Sequence, residues 1–154
     1  MQSINSIGLR TDKDTPLYAI GVVAQLLEVS VHTLRLYENE GLVIPFKKDS
    51  NHRLYSANDI IRLKCIRDSI TNKKFSIASI KTLYAMIPCW SIRNCSESER
   101  INCEAYNSTM NPCWTFKHSN NLCALQECRT CDVYKEHNHC DNIKKTIKNN
   151  TRQA

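Results

Sequence analysis

Between Tyr18 and Leu42 the apolar positions fall into two short runs with helical spacing. Ile20, Val23, Ala24 and Leu27 recur at intervals of three, one and three, so they share one face of a 3.6-residue period. Val29 marks a break, and Leu34 and Tyr37 then continue an apolar face. Ser30 stands where an N-cap belongs, its hydroxyl placed to accept from a backbone N–H one turn on. Ala24 is small enough for two helices to cross closely. The pattern predicts two short helices joined by a tight turn, with His32, Thr33 and Arg35 on the outward face of the second.

The pattern then changes period. Lys47 and Lys48 precede the turn-forming cluster Asp49-Ser50-Asn51, after which Arg53-Leu54-Tyr55 alternates like a strand, so a hairpin is expected. Ser56 and Asp59 form an approximate capping box before a helix with Ile60, Leu63, Ile66 and Ile70 on its inner face. A further helix starts near Ser76, with Ile77, Ile80, Leu83, Tyr84 and Ile87 buried. Pro88 closes this run and no heptad pattern follows. The first fifteen residues are polar and aperiodic and read as a disordered leader. After Cys140, Ile143 and Ile147 are surrounded by Lys144, Lys145, Lys148 and Arg152, as in a short basic helix or a frayed tail that adds non-specific DNA affinity.

A helix pair of this kind commonly lays its second member into a DNA groove. The segments IGVVAQLLEVSVHTLRLYENEGL, NHRLYSANDI and FSIASIKTLYAMI, from about Pro16 to Ile87, resemble the DNA-binding domain of the MerR family of bacterial transcriptional regulators. The resemblance implies a winged helix-turn-helix, with the wing between Val43 and Tyr55 and a helix pair behind it. It also implies a homodimer on a two-fold operator between promoter elements, acting with RNA polymerase by twisting and bending double-stranded DNA. Arg35 is the leading DNA contact, because a guanidinium binds phosphate or guanine from a major-groove helix. His32 and Thr33 share its surface. Lys48, Arg53 and Tyr55 belong to the wing, the last two at positions that contact the DNA backbone in the family. Tyr18 and Tyr37 complete the set, Tyr37 also fitting the core.

Three departures from the family pattern stand out. Glu28 occupies the turn position where glycine is common, and a rearranged turn is expected because side chains disfavour positive φ. Leu36-Tyr37 replaces the doubled tyrosine. Pro88 replaces the start of the long dimerisation helix, which leaves the dimer interface open.

The chain has 154 residues, net charge +6 and pI near 8.9. Residues 10–87 carry twelve Lys and Arg against eight Asp and Glu, residues 88–154 nine against seven, so the excess leans toward the DNA-binding half. No eighteen-residue apolar run and no signal-peptide core occur, and a cytoplasmic protein without membrane attachment is expected. Enzyme chemistry has little to stand on, since there is no Gly-rich phosphate loop, nucleophile–base motif or pair of usefully spaced carboxylates.

Cysteine usage changes at Pro88. One cysteine, Cys65, precedes it and reads as a small buried hydrophobe. Eight follow: Cys89, Cys95, Cys103, Cys113, Cys123, Cys128, Cys131 and Cys140. Disulfides do not persist in a reducing compartment, so metal ligation is the default reading for these eight. Only Cys128 and Cys131 form a CxxC knuckle, and the other intervals of five, seven, nine, nine, four and eight residues fit an iron–sulfur cluster held by dispersed loops somewhat better than zinc ribbons. His137 and His139 are further candidate ligands or a solvated pair. Trp90 and Trp114, each in a PCW triplet, either shield the site or form a small core. Such a site serves as a structural staple or as a sensor of metal or redox state. The alternative is a DNA-bending, excisionase-like protein with structural zinc. The expected fold is mainly α: a leader (1–15), a winged helix-turn-helix (16–87), a loop-rich cysteine domain (88–140) and a basic tail (141–154).

Overall fold

The computed structural model describes residues 12–152. The protein is mainly helical with one small sheet. Strand β1 (Tyr18–Ala19) leads into α1 (Ile20–Leu27) and α2 (Val31–Asn39), the two helices read from the apolar spacing. Ser30 caps α2, accepting from Thr33 N–H at 3.0 Å. The turn between the helices keeps its tight form: Glu28 adopts φ 53°, ψ 44°, and Val29 N–H closes onto the Ala24 carbonyl at 3.0 Å. The expected rearrangement does not occur. The turn instead accepts a left-handed non-glycine residue, at a cost of about 1–2 kcal/mol.

The wing consists of β2 (Phe46–Lys47) and β3 (Arg53–Tyr55), antiparallel, and β1 adds to the other side of β3 with Tyr18 opposite Tyr55. Helix α3 (Ala57–Thr71) opens with a full capping box, in which Ser56 Oγ accepts from Asp59 N–H and Asp59 accepts from Ser56 N–H. Helix α4 (Ile77–Ala85), capped by Ser76, packs against α3 through Ile80 and Tyr84. Leu83, expected inside, is 40% exposed, because Ile80, Tyr84 and Ile87 already fill the inward stripe.

Residues beyond Pro88 form one-turn pieces: α5 (Cys89–Ile92), α6 (Glu97–Ile101), α7 (Glu104–Asn107), a helical turn at Cys113–Thr115, another at Cys128–Thr130, and α8 (Asp132–Lys135). The tail is helical as α9 (Asn142–Thr151). Trp114, Cys131, Val133 and Tyr134 join Val23, Leu34, Leu42, Leu63, Ile66 and Tyr84 in one continuous hydrophobic core, so the cysteine-rich module is docked on the head rather than tethered to it.

Asp12–Thr15, read as leader, is tied down: Asn58 donates to Asp14 at 2.8 Å, Asn58 N–H to the Lys13 carbonyl at 3.0 Å, and Lys135 pairs with Asp14 at 3.4 Å. The remainder of that leader lies outside the described residues. Among the described residues no helix is long and apolar enough to cross a membrane.

Candidate functional site

Helix α2 presents His32 and Arg35 to solvent and leaves Thr33 half-buried, its hydroxyl sharing a 2.9 Å hydrogen bond with Ser30. Lys48 is exposed at the wing tip and Tyr18 is half-buried. Tyr37, for which core packing is the favoured reading, and Tyr55, expected on the DNA side, both face inward. Tyr37 is 4% exposed and packs in the core, and Tyr55 is fully buried beneath the wing, because β3 alternates and its register with β1 turns position 55 inward. Burial also raises the Tyr55 phenol to about 12. Arg53 is held by Glu38, which also accepts from Lys47 at 3.1 Å, so one carboxylate on α2 pins both wing strands to the reading helix.

Seven cysteines, Cys89, Cys95, Cys103, Cys113, Cys123, Cys128 and Cys131, line one cavity in the module. Intervals that look irregular along the chain therefore converge in space. Cys113 donates to Cys89, which lowers the Cys89 thiol and raises that of Cys113. Burial raises Cys95, Cys123 and Cys128, and neighbouring thiolates push each of them further the same way. Such a concentration of sulfur disfavours negative charge and calls for a cation to offset it. Three residues that the spacing did not single out surround the sulfurs: the Arg93 guanidinium works against the upward shift of the Cys123 thiol, Asn121 donates to Cys103 at 3.9 Å, and His118 Nε2 meets the Cys113 carbonyl at 2.9 Å. Among the described residues no three of His, Cys, Asp and Glu gather at a single point as one bound ion requires.

Cys140 does not join this cavity. It is bonded to Cys65 on α3, so Cys65 is not a plain buried hydrophobe and Cys140 is drawn off from the other seven. His137 is 1% exposed, with Nδ1 on the Val133 carbonyl at 2.7 Å and Nε2 on Thr146 at 2.8 Å, and it serves as a packing post for α9. His139 is exposed beside Asp141.

The module contains the same clip twice. In the first half Pro88 precedes Cys89-Trp90, and Cys103 opens the turn Glu104-Ala105-Tyr106; Trp90 meets Tyr106 edge-on at 5.2 Å and 89°. In the second, Pro112 precedes Cys113-Trp114, and Cys131 opens Asp132-Val133-Tyr134; Trp114 meets Tyr134 at 5.2 Å and 86°. The repeated PCW was visible in the chain, and its partner, cysteine–acid–small–tyrosine, is visible once the rings are seen to touch. Each clip sets two cavity cysteines at a separation fixed by an aromatic pair.

The second clip also forms the seam with the head. Trp114 Nε1–H donates to the Gly41 carbonyl at 2.7 Å, and Ile44 N–H donates to the Tyr134 hydroxyl at 2.9 Å. Arg129, inside the CxxC knuckle, donates to the Ile44 carbonyl and pairs with Asp59 at 2.8 Å. Arg62 of α3 is 1% exposed and lies under three rings, 3.9 Å from Tyr134, 5.3 Å from Trp114 and 5.4 Å from Tyr84, while donating to the Tyr134 carbonyl. Gly41 has φ +74°, and a Cβ there would clash with Thr115 Cγ2, so backbone conformation and close approach of the module both favour glycine.

Comparison with known proteins bears on the head. A family described as MerR HTH family regulatory protein matches residues 18–86. The chain carries a MerR-family helix-turn-helix domain. This MerR head is similar to the HTH-type transcriptional regulator GlnR of Bacillus anthracis, 35% identical over 74 residues that cover 48% of this chain and 57% of that protein. It is also similar to the HTH-type transcriptional regulator ZntR of Escherichia coli strain K12, 33% identical over 86 residues covering 55% and 60%. The chain thus spans little more than half the length of these curated relatives. Every residue that lines the thiol cavity, from Cys89 to Tyr134, lies beyond the MerR match.

Proposed function

We propose that this protein is a sequence-specific, DNA-binding transcriptional regulator in which the thiol cavity binds a metal centre and sets the posture of the MerR-type head. The observation that carries the reading is the seam. The knuckle and the Trp114–Tyr134 clip that line the cavity hydrogen-bond directly to Gly41 and Ile44, on the segment that joins reading helix α2 to the wing. Gain, loss or oxidation of the centre would move Arg129 and Tyr134, and with them Asp59, whose carboxylate caps α3 immediately after the wing. Whereas family resemblance implies a route through a long dimerisation helix, this route runs within one chain.

An iron–sulfur cluster fits the donor set better than a single zinc ion. Zinc needs four ligands on one point at about 2.0–2.3 Å, whereas a cluster spreads thiolates over several metal atoms, as do sulfurs arranged around a cavity. Cys89, Cys95, Cys103, Cys113, Cys123, Cys128 and Cys131 are the available ligands, and Arg93 would offset the charge of the thiolates. A bound centre would supply electron transfer or reversible assembly. His32, Arg35 and Lys48 are the exposed DNA contacts, double-stranded operator DNA is the partner, and a homodimer acting with RNA polymerase in the cytoplasm is the working form.

Operator DNA selected from a random-sequence library tests this. Wild-type protein should bind an inverted repeat, Arg35→Ala should weaken that binding by about 1–3 kcal/mol with its fold intact, and footprints with the metal present and removed should differ. Undiminished operator binding by Arg35→Ala would remove the proposed reading face. Identical footprints in the two metal states would leave a DNA-bending protein with a structural metal.

A further inference from the structure

Two cysteines stand apart from the cavity. Cys65 on α3 and Cys140, directly before α9, are half-buried and bonded to each other with Cα atoms 5.7 Å apart, an ordinary span for a disulfide. The bond joins positions 75 residues apart, from the head across the whole cysteine-rich module. Other contacts hold the corner around Cys140 in place. His137 is buried between the Val133 carbonyl and Thr146 of α9, and Asn142 donates to the Glu136 carbonyl at 2.6 Å. Arg62 on α3 donates to the Tyr134 carbonyl, three residues before His137, so α3 and this corner are also joined by a contact other than the bond. A DNA-reading protein works where small thiols keep cysteines reduced, and disulfides that form in such a compartment are transient and redox-responsive.

We propose that Cys65 and Cys140 form a dithiol–disulfide site, separate from the thiol cavity, that exchanges with low-molecular-weight disulfides and, when oxidised, ties α9 and the module to α3. One thiolate attacks a sulfur of the small disulfide, forming a mixed disulfide and releasing one small thiolate. The second protein thiolate attacks the protein sulfur of that mixed disulfide, closing the Cys65–Cys140 bond and releasing the second. The protein dithiol is oxidised by two electrons, the small disulfide is reduced to two thiols, and the two protons end on them. The site does not depend on the cavity holding metal.

The test uses full-length protein as purified, equilibrated with reduced or oxidised glutathione, acid-quenched, denatured and alkylated. The reduced protein should take nine labels, one for each cysteine, and the oxidised protein seven, with a cross-linked peptide joining Cys65 to Cys140. Cys65→Ser should trap one glutathione on Cys140, Cys140→Ser should trap one on Cys65, and both variants should keep the wild-type metal content. Nine labels after oxidation, or a cross-link from either residue to a cavity cysteine, would overturn the proposal. Loss of metal in Cys140→Ser would overturn it too, by making Cys140 a ligand.

Discussion

The head and the cysteine-rich module are held together by different means. In the head, α1 to α4 bury Val23, Leu27, Leu34, Leu63, Ile66 and Ile80 and close their ends with Ser30, Ser56 and Ser76, so regular elements supply the apolar burial that offsets chain entropy. In the module, α5 to α8 are single turns, few large aliphatic side chains are buried, and the organising contacts are two Trp–Tyr clips around seven thiols. The head supplies most of its own apolar burial. The module buries little aliphatic surface of its own and leans on the head through Trp114, Arg129 and Tyr134.

The sharpest way to break this comparison is to remove the proposed metal. Chelation under anaerobic conditions should open residues 88–140 to limited proteolysis while residues 18–86 stay resistant, because binding free energy at such sites is folding free energy. Equal resistance of both halves would erase the distinction. Next in size is the seam: Trp114→Ala should cost about 3–5 kcal/mol in chemical denaturation, and Trp114→Phe, which keeps an aromatic ring but removes the donor to Gly41 and part of the indole, about 1–3 kcal/mol. Metal-dependent DNA affinity should be weakened in both. Arg35→Ala belongs wholly to the head and should cost about 1–3 kcal/mol of operator affinity, with the melting temperature unchanged.

His137 sharpens the comparison through pH. Burial lowers its pKa below the ordinary 6.5, against the Val133 carbonyl; Arg62 lowers it further and Glu136 opposes. The folded protein thus refuses a proton that the unfolded chain accepts. The resulting stability is present above pH 6.5 and declines below it, and His137→Gln should flatten that acid limb in melting curves from pH 7 to 5. The smallest expected effect is at Glu28. Relief of its left-handed conformation, partly cancelled by glycine's greater freedom when unfolded, should leave Glu28→Gly more stable by about 0.5–1 kcal/mol.

The same contrast explains what the sequence made legible. Periodicity and caps report local physics, so α1 to α4, the wing and the roles of Ser30 and Ser56 were readable in the sequence. Tyr55 was misassigned because alternation along three residues does not say which face of β3 is inside until β1 pairs with it. Leu83 was misassigned because a nine-residue helix needs only one narrow stripe. In the module the chain carries little periodicity, and its order lies in contacts between distant residues: Cys89 with Cys113, Trp90 with Tyr106, Arg129 with Asp59, Cys65 with Cys140. Composition placed a sulfur-rich site after Pro88, but spacing could not separate Cys140 from the other seven.

The central claim is that the thiol cavity holds a metal centre whose state the head reads. Protein purified without oxygen and without added metal should be analysed for iron, zinc, acid-labile sulfide and visible absorption, and its affinity for selected operator DNA measured before and after the centre is oxidised or removed. Iron with sulfide, an oxygen-sensitive chromophore and an affinity or footprint that changes with it are expected. A metal-free protein, or a metal whose loss leaves DNA binding unaltered, would contradict the claim.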